Sequence, residues 1–171
     1  KYIMNLSTDT IDVLKNFSNI NQNILVKPGK TVQTISTMKN ILAEAEIKEE
    51  FGSEFAIYDL PEFLRSIELF DSPQLQFNGG TNVQINEEKS KQNIKYFFAD
   101  KSVIVSPTKS ITMPDKFVSF AFKKESFAKL MKAATTLNLV DVAVVGNGSK
   151  IHMIATDKKN KSSNEYSIDV G

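Results

Sequence analysis

Basic side chains recur on the polar faces of the helices that the sequence predicts. Apolar residues spaced at about 100° per residue indicate amphipathic helices at 7–20, 60–70 and 124–138. Positive charge on helix faces binds phosphates without reading bases, so helices sharing one surface would favour a nucleic-acid backbone. Ordinary solvated helix faces are the alternative interpretation. The basic residues opposite the apolar stripes, or at the start of the third helix, are Lys15, Arg65, Lys123, Lys124, Lys129 and Lys132.

Residues for catalysis are sparse. His152 is the only histidine and lies in a predicted strand, and the chain has no cysteine, so a zinc site has little support. Gly146-Asn147-Gly148 is flanked by predicted strands, which favours a hairpin turn over a phosphate loop. Glu44 and Glu46 could supply oxygen ligands to a divalent cation, although a solvated strand face is the favoured interpretation. Beside a binding protein, a small metal-dependent α+β enzyme and a self-assembling structural protein therefore stay open.

The order of elements indicates an α+β protein made of two related units. Ser7 and Asp59 are expected to cap the first two helices, because their side-chain oxygens can accept from free backbone N–H groups. A hairpin is expected around Pro28-Gly29, where turn residues separate two β-like runs. The strands of the first unit are predicted at 1–6, 23–27, 30–36, 40–47, 54–59, 74–77, 82–86 and 93–99.

A helix followed by β-like runs returns in the second half of the chain. Strands are expected at 117–122, 140–145, 151–156 and 165–170, around the helix 124–138 and a basic loop at 158–161. This weak internal repeat suggests a duplicated domain, while chance similarity of two amphipathic helices is the alternative. The predicted domain limits are 1–104 for the first unit, 105–116 for a proline-containing linker and 117–171 for an incomplete second unit.

Composition narrows the class of protein. Of the 171 residues, 41% are hydrophobic and the formal net charge is +1, which argues against a polybasic, histone-like binder. The absence of cysteine fits a reducing compartment. No apolar run approaches the roughly 20 residues of a membrane helix, and the first residues are too polar for a signal peptide.

Short segments along the chain together match a known pattern. They are Asp9-Thr10, Leu14–Phe17, Ile20-Asn21, Ala43–Ala45, Phe55–Leu60, Phe63-Leu64, Val105–Pro107 and Tyr166-Ser167. Through them, essentially the whole chain resembles the DNA polymerase sliding clamps of T-even-type bacteriophages, and Phe55–Leu60 is the most specific part. Two features depart from that family. The Trp-Pro pair expected near Tyr96–Phe98 is absent, and the family's chains continue beyond Gly171 by several strands and a fourth helix.

The resemblance implies a DNA-clamp fold of class α+β, with duplicated helix-plus-antiparallel-sheet domains. Three identical subunits would form a ring in which helices line the hole and sheets lie outside. The ring would encircle double-stranded DNA without sequence preference and tether the replicative polymerase, after loading by an ATP-driven clamp loader. No enzymatic activity, cofactor, metal or membrane partner is implied. The expected location is the cytoplasm of the infected bacterial host.

Two further residue sets follow from the resemblance. The linker is expected to border a hydrophobic pocket that receives a short polymerase tail, and its pocket residues are Val105, Ile111, Met113 and Pro114. Late strands of the two units are expected to meet between subunits and to continue one sheet from chain to chain. Their interface residues are Tyr96, Phe97 and Phe98 on one side, and Tyr166 and Ile168 on the other.

Overall fold

The computed structural model describes residues 1–109, 112 and 114–171. The chain divides into two compact units, Lys1–Ser110 and Ile111–Gly171. Two of the pocket residues predicted from the sequence, Ile111 and Met113, lie outside the described residues. No helix in the described part of the chain is long and apolar enough to cross a bilayer.

The first unit combines two helices with antiparallel strands. A four-stranded sheet has the order β1-β6-β7-β8, and two further pairs are β2-β5 and β3-β4. The elements are β1 Tyr2–Met4, α1 Thr8–Ser18, β2 Ile24–Val26, β3 Gly29–Ile35, β4 Leu42–Phe51, β5 Phe55–Ile57, α2 Leu60–Ile67, β6 Gln74–Phe77, β7 Asn82–Asn86 and β8 Asn93–Phe97, followed by a 3₁₀ turn at Lys101–Val103.

Both predicted helix caps of the first unit are confirmed. The Ser7 hydroxyl accepts from the Thr10 backbone N–H at 3.3 Å, and the Asp59 carboxylate accepts from the Glu62 N–H at 2.8 Å. The apolar stripes of the two helices pack into one core with the inner face of the four-stranded sheet. That burial leaves the opposite helix faces, which carry Lys15 and Arg65, in solvent.

A carboxylate from β4 reinforces the start of α1. Glu49 accepts from the backbone N–H of Ser7 and from the hydroxyl of Thr10, which is only 1% exposed. Burial raises the pKa of Glu49, but the hydrogen bonds from Thr10 and Ser7 lower it by more, so the pKa lies below its ordinary value. Strand and helix are thus joined by an ionised side chain.

The predicted hairpin around Pro28-Gly29 is wrong in its pairing. Both strands form, but β2 pairs with β5, with Ile24 opposite Ile57, and β3 pairs with β4. The reason is burial. All three residues of β5 are buried and match the buried Ile24 and Val26 of β2, whereas β3 begins with solvent-exposed residues.

The second unit has one helix on a three-stranded antiparallel sheet of order β11-β10-β9. Its core contains Leu130 and Ala134 of the helix with Met153 and Ala155 of the central strand. The predicted turn at Gly146–Ser149 is confirmed: the Asn147 side chain accepts from the Lys150 N–H at 2.8 Å. The elements are α3 Lys124–Thr136, β9 Asp141–Gly146, β10 Ile151–Thr156 and β11 Tyr166–Asp169.

The predicted strand at 117–122 does not form. Phe117 is 95% exposed, and the segment has no strand partner among the described residues. In the first unit, β1 pairs with β6, which follows the second helix. The described part of the second unit has no second helix or following strand, so residues 117–122 lack the hydrogen-bond partner that β1 has.

Candidate nucleic-acid interface

Lys15 lies on the exposed face of α1, but its charge is already paired. Its ammonium group contacts the carboxylate of Glu68, the residue that caps the end of α2. The hydrogen bond that Lys15 donates to Glu68 is the main cause of a raised pKa of Lys15. The pair links two neighbouring helices, so less of this charge remains for an external phosphate.

Arg65 is exposed on α2 and takes part in none of the ion pairs found in the described part of the chain. Its immediate surroundings are mixed in charge. Glu62 lies one helical turn earlier and accepts a hydrogen bond from the Tyr96 hydroxyl at 3.1 Å. Arg65 is therefore available to a ligand, although acids on the same helix reduce its local field.

The lysines of α3 form the strongest basic surface among the predicted residues. Lys129 and Lys132 are exposed, while Leu130 and Ala134 are buried. Lys123 and Lys124 stand at the N-terminus of the helix, where the positive end of the helix dipole adds to their charge. None of these four lysines belongs to an ion pair in the described residues, so the surface is open to anions.

Charge is unequally divided between the units. Ile111–Gly171 contains nine basic and six acidic residues, whereas Lys1–Ser110 contains twelve basic and fourteen acidic ones. The near-zero net charge of the chain therefore hides a basic second unit and a slightly acidic first unit. A polyanion is attracted chiefly to the second.

The two predicted pocket residues that the structure describes differ in burial. Val105 is half-buried, and its carbonyl accepts from the Asn21 side chain at 3.1 Å, while Pro114 is exposed. Ser106 and Pro107 border a recess of about 20 Å³ beside Leu25, too small to admit an apolar peptide side chain. The segment up to Pro107 is therefore attached to the first unit instead of standing free of it.

The predicted interface strand β8 is an edge of its sheet, and its aromatic residues alternate in direction. Tyr96 packs on Phe63 at 5.0 Å between ring centroids and donates to the Asp59 carbonyl at 3.2 Å. Burial, together with the Glu62 hydrogen bond, raises the pKa of Tyr96. Phe98 packs on Phe55, whereas Phe97 is 60% exposed. Of the three, Phe97 alone has most of its side chain in solvent.

The strand β11 is likewise an edge, with β10 on its other side. Tyr166 and Ile168 are half-buried and pack against the core under α3. Their side chains therefore stabilise their own unit, and what β11 offers a neighbour is its backbone N–H and C=O groups.

Among the described residues there is no group of three or more His, Cys, Asp or Glu side chains that could hold a metal ion. Glu44 accepts from the side-chain amide of Gln33, and Glu46 lies on the same exposed face of β4. His152 stands in β10 between Val145 and Asp169 of the neighbouring strands, as predicted. Glu44, Glu46 and His152 are therefore accounted for as ordinary residues of their strands.

Sequence reasoning missed an open groove beside β8. It has a volume of about 590 Å³ and is bordered by the start of α2, including the acidic Asp59 and Glu62. Tyr58, 64% exposed, and Phe97 provide its aromatic surface. The sequence feature that could have indicated the groove is Tyr58, an aromatic residue immediately before the residue that caps α2.

Known proteins similar to this chain agree on one family. A family model described as DNA polymerase processivity factor matches residues 7–106. The sliding clamp of Vibrio phage KVP40 is 31% identical over 173 residues, which cover 98% of this chain and 77% of that clamp. The sliding clamp of Escherichia phage RB69 is 34% identical over 149 residues, covering 86% and 64%.

A solved structure extends the similarity to the fold. PCNA from Thermococcus kodakaraensis superposes with a TM-score of 0.63 at 15% sequence identity, covering 98% of this chain and 71% of that one. The DNA-clamp fold expected from the sequence is confirmed. The alternatives of a metal-dependent enzyme and of a purely structural protein receive no support.

Proposed function

Because this chain belongs to the DNA polymerase processivity factor family, that of the phage sliding clamps, we propose that it encircles duplex DNA and tethers a replicative polymerase. The observation that carries the DNA contact is the exposed basic face of α3. Lys129 and Lys132 lie opposite the buried Leu130 and are free of ion pairs in the described residues. Such a face attracts phosphates of any sequence, which suits a protein that must slide.

The proposed DNA contacts differ in strength. Lys123, Lys124, Lys129 and Lys132 are the principal contacts, since all four are exposed and belong to the basic unit. Arg65 is a weaker contact because of Glu62 on the same helix, and Lys15 is weaker again because Glu68 holds its ammonium group.

A homotrimeric ring requires two different edges on each chain, since identical subunits in a cycle join head to tail. The edge strands β8 and β11 are the proposed pair. Both offer unpaired backbone groups on one side, and Phe97 adds exposed apolar surface to the first. Tyr96, Phe98, Tyr166 and Ile168 would support the strands from within their own units.

The polymerase contact is proposed for the linker, with domain limits of 1–104, 105–116 and 117–171. Val105, Ile111, Met113 and Pro114 would border the pocket. Replacing Ile111 and Met113 by Ser should weaken binding of a polymerase C-terminal peptide, measured by calorimetry, because apolar contact area is lost. Replacing the exposed Leu69 by Ser serves as the control. Equal peptide affinity of wild type and the double variant would place the pocket elsewhere.

Loading by an ATP-driven clamp loader and a location in the cytoplasm of the infected host complete the proposal. The clamp itself would catalyse no reaction and bind no cofactor. Its contribution to synthesis is topological, since a polymerase bound to a closed ring remains near the primer end after it releases DNA.

A topological experiment tests the proposed function. The protein is loaded with its loader and ATP onto nicked circular DNA, and the DNA is then isolated by gel filtration. We expect the protein to co-elute with the circle and to be lost when a restriction enzyme linearises it. Retention that is unchanged by linearisation, or no retention on either form, would contradict encirclement.

A further inference from the structure

A second basic surface of the second unit lies outside the helices. The segment 157–165 connects β10 to β11, and its side chains include the exposed Lys158, Lys159 and Lys161 and the exposed Glu165. We propose that this segment, hereafter the lysine loop, contacts the phosphates of duplex DNA. The inference rests on the proposed function for the identity of its partner.

The lysine charges of this loop are not neutralised by ion pairs. None of the ion pairs in the described residues involves Lys158, Lys159 or Lys161. Two acids, Asp157 of the loop and Asp141 of β9, accept hydrogen bonds from the loop backbone. Asp157 accepts from the Lys159 N–H at 3.0 Å, and Asp141 accepts from the Lys158 N–H at 2.8 Å. The three lysines, on long, flexible stems, therefore stay unpaired among the described residues while these two carboxylates bond backbone N–H groups.

The loop backbone is held in place before any ligand binds. The Asp157 N–H donates to the Ser163 hydroxyl at 3.0 Å, and the Ser163 N–H donates to the Asn160 carbonyl at 3.0 Å. Asn160 also accepts, through its side chain, from the Ser162 N–H at 3.0 Å. Since the backbone is ordered already, binding a phosphate would restrict only the lysine side chains, which lowers the entropic cost.

The bond between Lys158 and Asp141 locates the loop within the second unit. Asp141, to which Lys158 is bonded, is the first residue of β9 and follows the end of α3 by a short connection, 137–140. The loop therefore lies at the end of the unit where α3 finishes. Positive charge on α3 and on the loop thus belongs to one basic unit, and the continuous phosphate backbone of a duplex can contact both.

The chemistry of the loop favours a duplex over other partners. Its nine residues, Asp-Lys-Lys-Asn-Lys-Ser-Ser-Asn-Glu, include no aromatic or aliphatic apolar side chain. Single-stranded nucleic acid is held largely by base stacking on aromatic residues, and peptide grooves use apolar pockets. Lysines without such neighbours suit the regular, sequence-independent charge of a duplex backbone.

The test compares two charge-matched variants of the full chain. One carries Lys158→Glu, Lys159→Glu and Lys161→Glu, and the control reverses three exposed lysines of the first unit, at positions 30, 89 and 91. Anisotropy of a fluorescein-labelled mixed-sequence duplex is measured over a range of NaCl concentrations. We expect the loop variant to bind more weakly and to lose up to about 2–3 units of the slope of log K against log salt.

The control variant should keep most of the wild-type slope. An equal loss of duplex affinity in both variants would show that only overall charge matters and would overturn the proposal. Wild-type affinity and salt slope in the loop variant would also overturn it. A Lys→Gln triple variant, checked by circular dichroism, replaces the Glu variant if reversal prevents folding. Unaltered duplex binding with weakened binding to an acidic partner protein would also overturn it. Loss of retention on circular DNA would contradict the clamp function but not the DNA contact of the lysine loop, because affinity for a linear duplex is measured separately.

Discussion

Replacing Glu49 by Gln is expected to loosen the start of α1. The carboxylate accepts from the Ser7 N–H and the Thr10 hydroxyl, so the amide would replace two charge-assisted bonds by at most neutral ones. A hydrogen bond to a charged group contributes about 1.5–3 kcal/mol against about 1 kcal/mol for a neutral one, and a negative charge near a helix N-terminus adds about 0.3–1 kcal/mol. Glu49 is only partly buried, so the lower values apply and the expected loss is about 1–2 kcal/mol.

The pH dependence of this loss has a definite sign. The folded pKa of Glu49 is lowered relative to the unfolded value. A carboxyl with a lowered pKa stabilises the fold above its unfolded pKa, about 4.3, and that stabilisation disappears as pH falls through the folded pKa. The difference between wild type and the Glu49→Gln variant should therefore be complete near neutral pH and shrink below about pH 4.

Hydrogen exchange of the α1 amides, read by mass spectrometry at several pH values, measures the effect locally. The matched control is Glu50→Gln, which removes the same charge from the exposed neighbouring residue of β4. The reasoning is refuted if both variants open α1 equally, or if the difference between Glu49→Gln and wild type grows as the pH is lowered.

Three further predictions concern the two units. Lys129→Glu with Lys132→Glu should reduce retention on circular DNA for every sequence and flatten its salt dependence, because phosphate contacts are lost; sequence-selective loss in a retention assay would contradict this. Leu130 is completely buried, so Leu130→Ala should cost about 2–5 kcal/mol and remove hydrogen-exchange protection in β10 while β7 remains protected. Phe97→Asp should weaken trimer formation in sedimentation velocity more than Leu69→Asp, which alters an apolar residue elsewhere that is even more exposed, 74% against 60%; equal effects would argue against β8 as the interface.

Local signals in the sequence predicted local structure well. The caps at Ser7 and Asp59 were found because a capping side chain bonds a backbone group only two or three residues away. The Asn147 turn was found for the same reason. Each of these interactions lies within a few consecutive residues, so residue type and spacing are enough to specify it.

Contacts between distant residues account for what the sequence did not predict. The pairing of β2 with β5 instead of β3 depends on burial between residues that are 33 positions apart in the chain, Ile24 and Ile57. The Lys15–Glu68 ion pair depends on how α1 packs on α2. Helical periodicity identified Lys15 as exposed but carried no information on its neighbour, and the same limit hid the Glu49 contact with Thr10.

The pairing of the first strand with β6 determines when the first unit can be completed during synthesis. Tyr2 lies opposite Phe77, and their rings stack at 4.6 Å. At about 5–20 residues per second, the N-terminal strand therefore waits roughly 4 to 15 s for its partner to be made. The three strands of the second unit instead pair with their neighbours in the sequence, within 141–169. The first unit leaves the ribosome before the second and is completed by the more distant strand pairing. Until β6 is made, β1 has an unpaired edge to which a chaperone can bind.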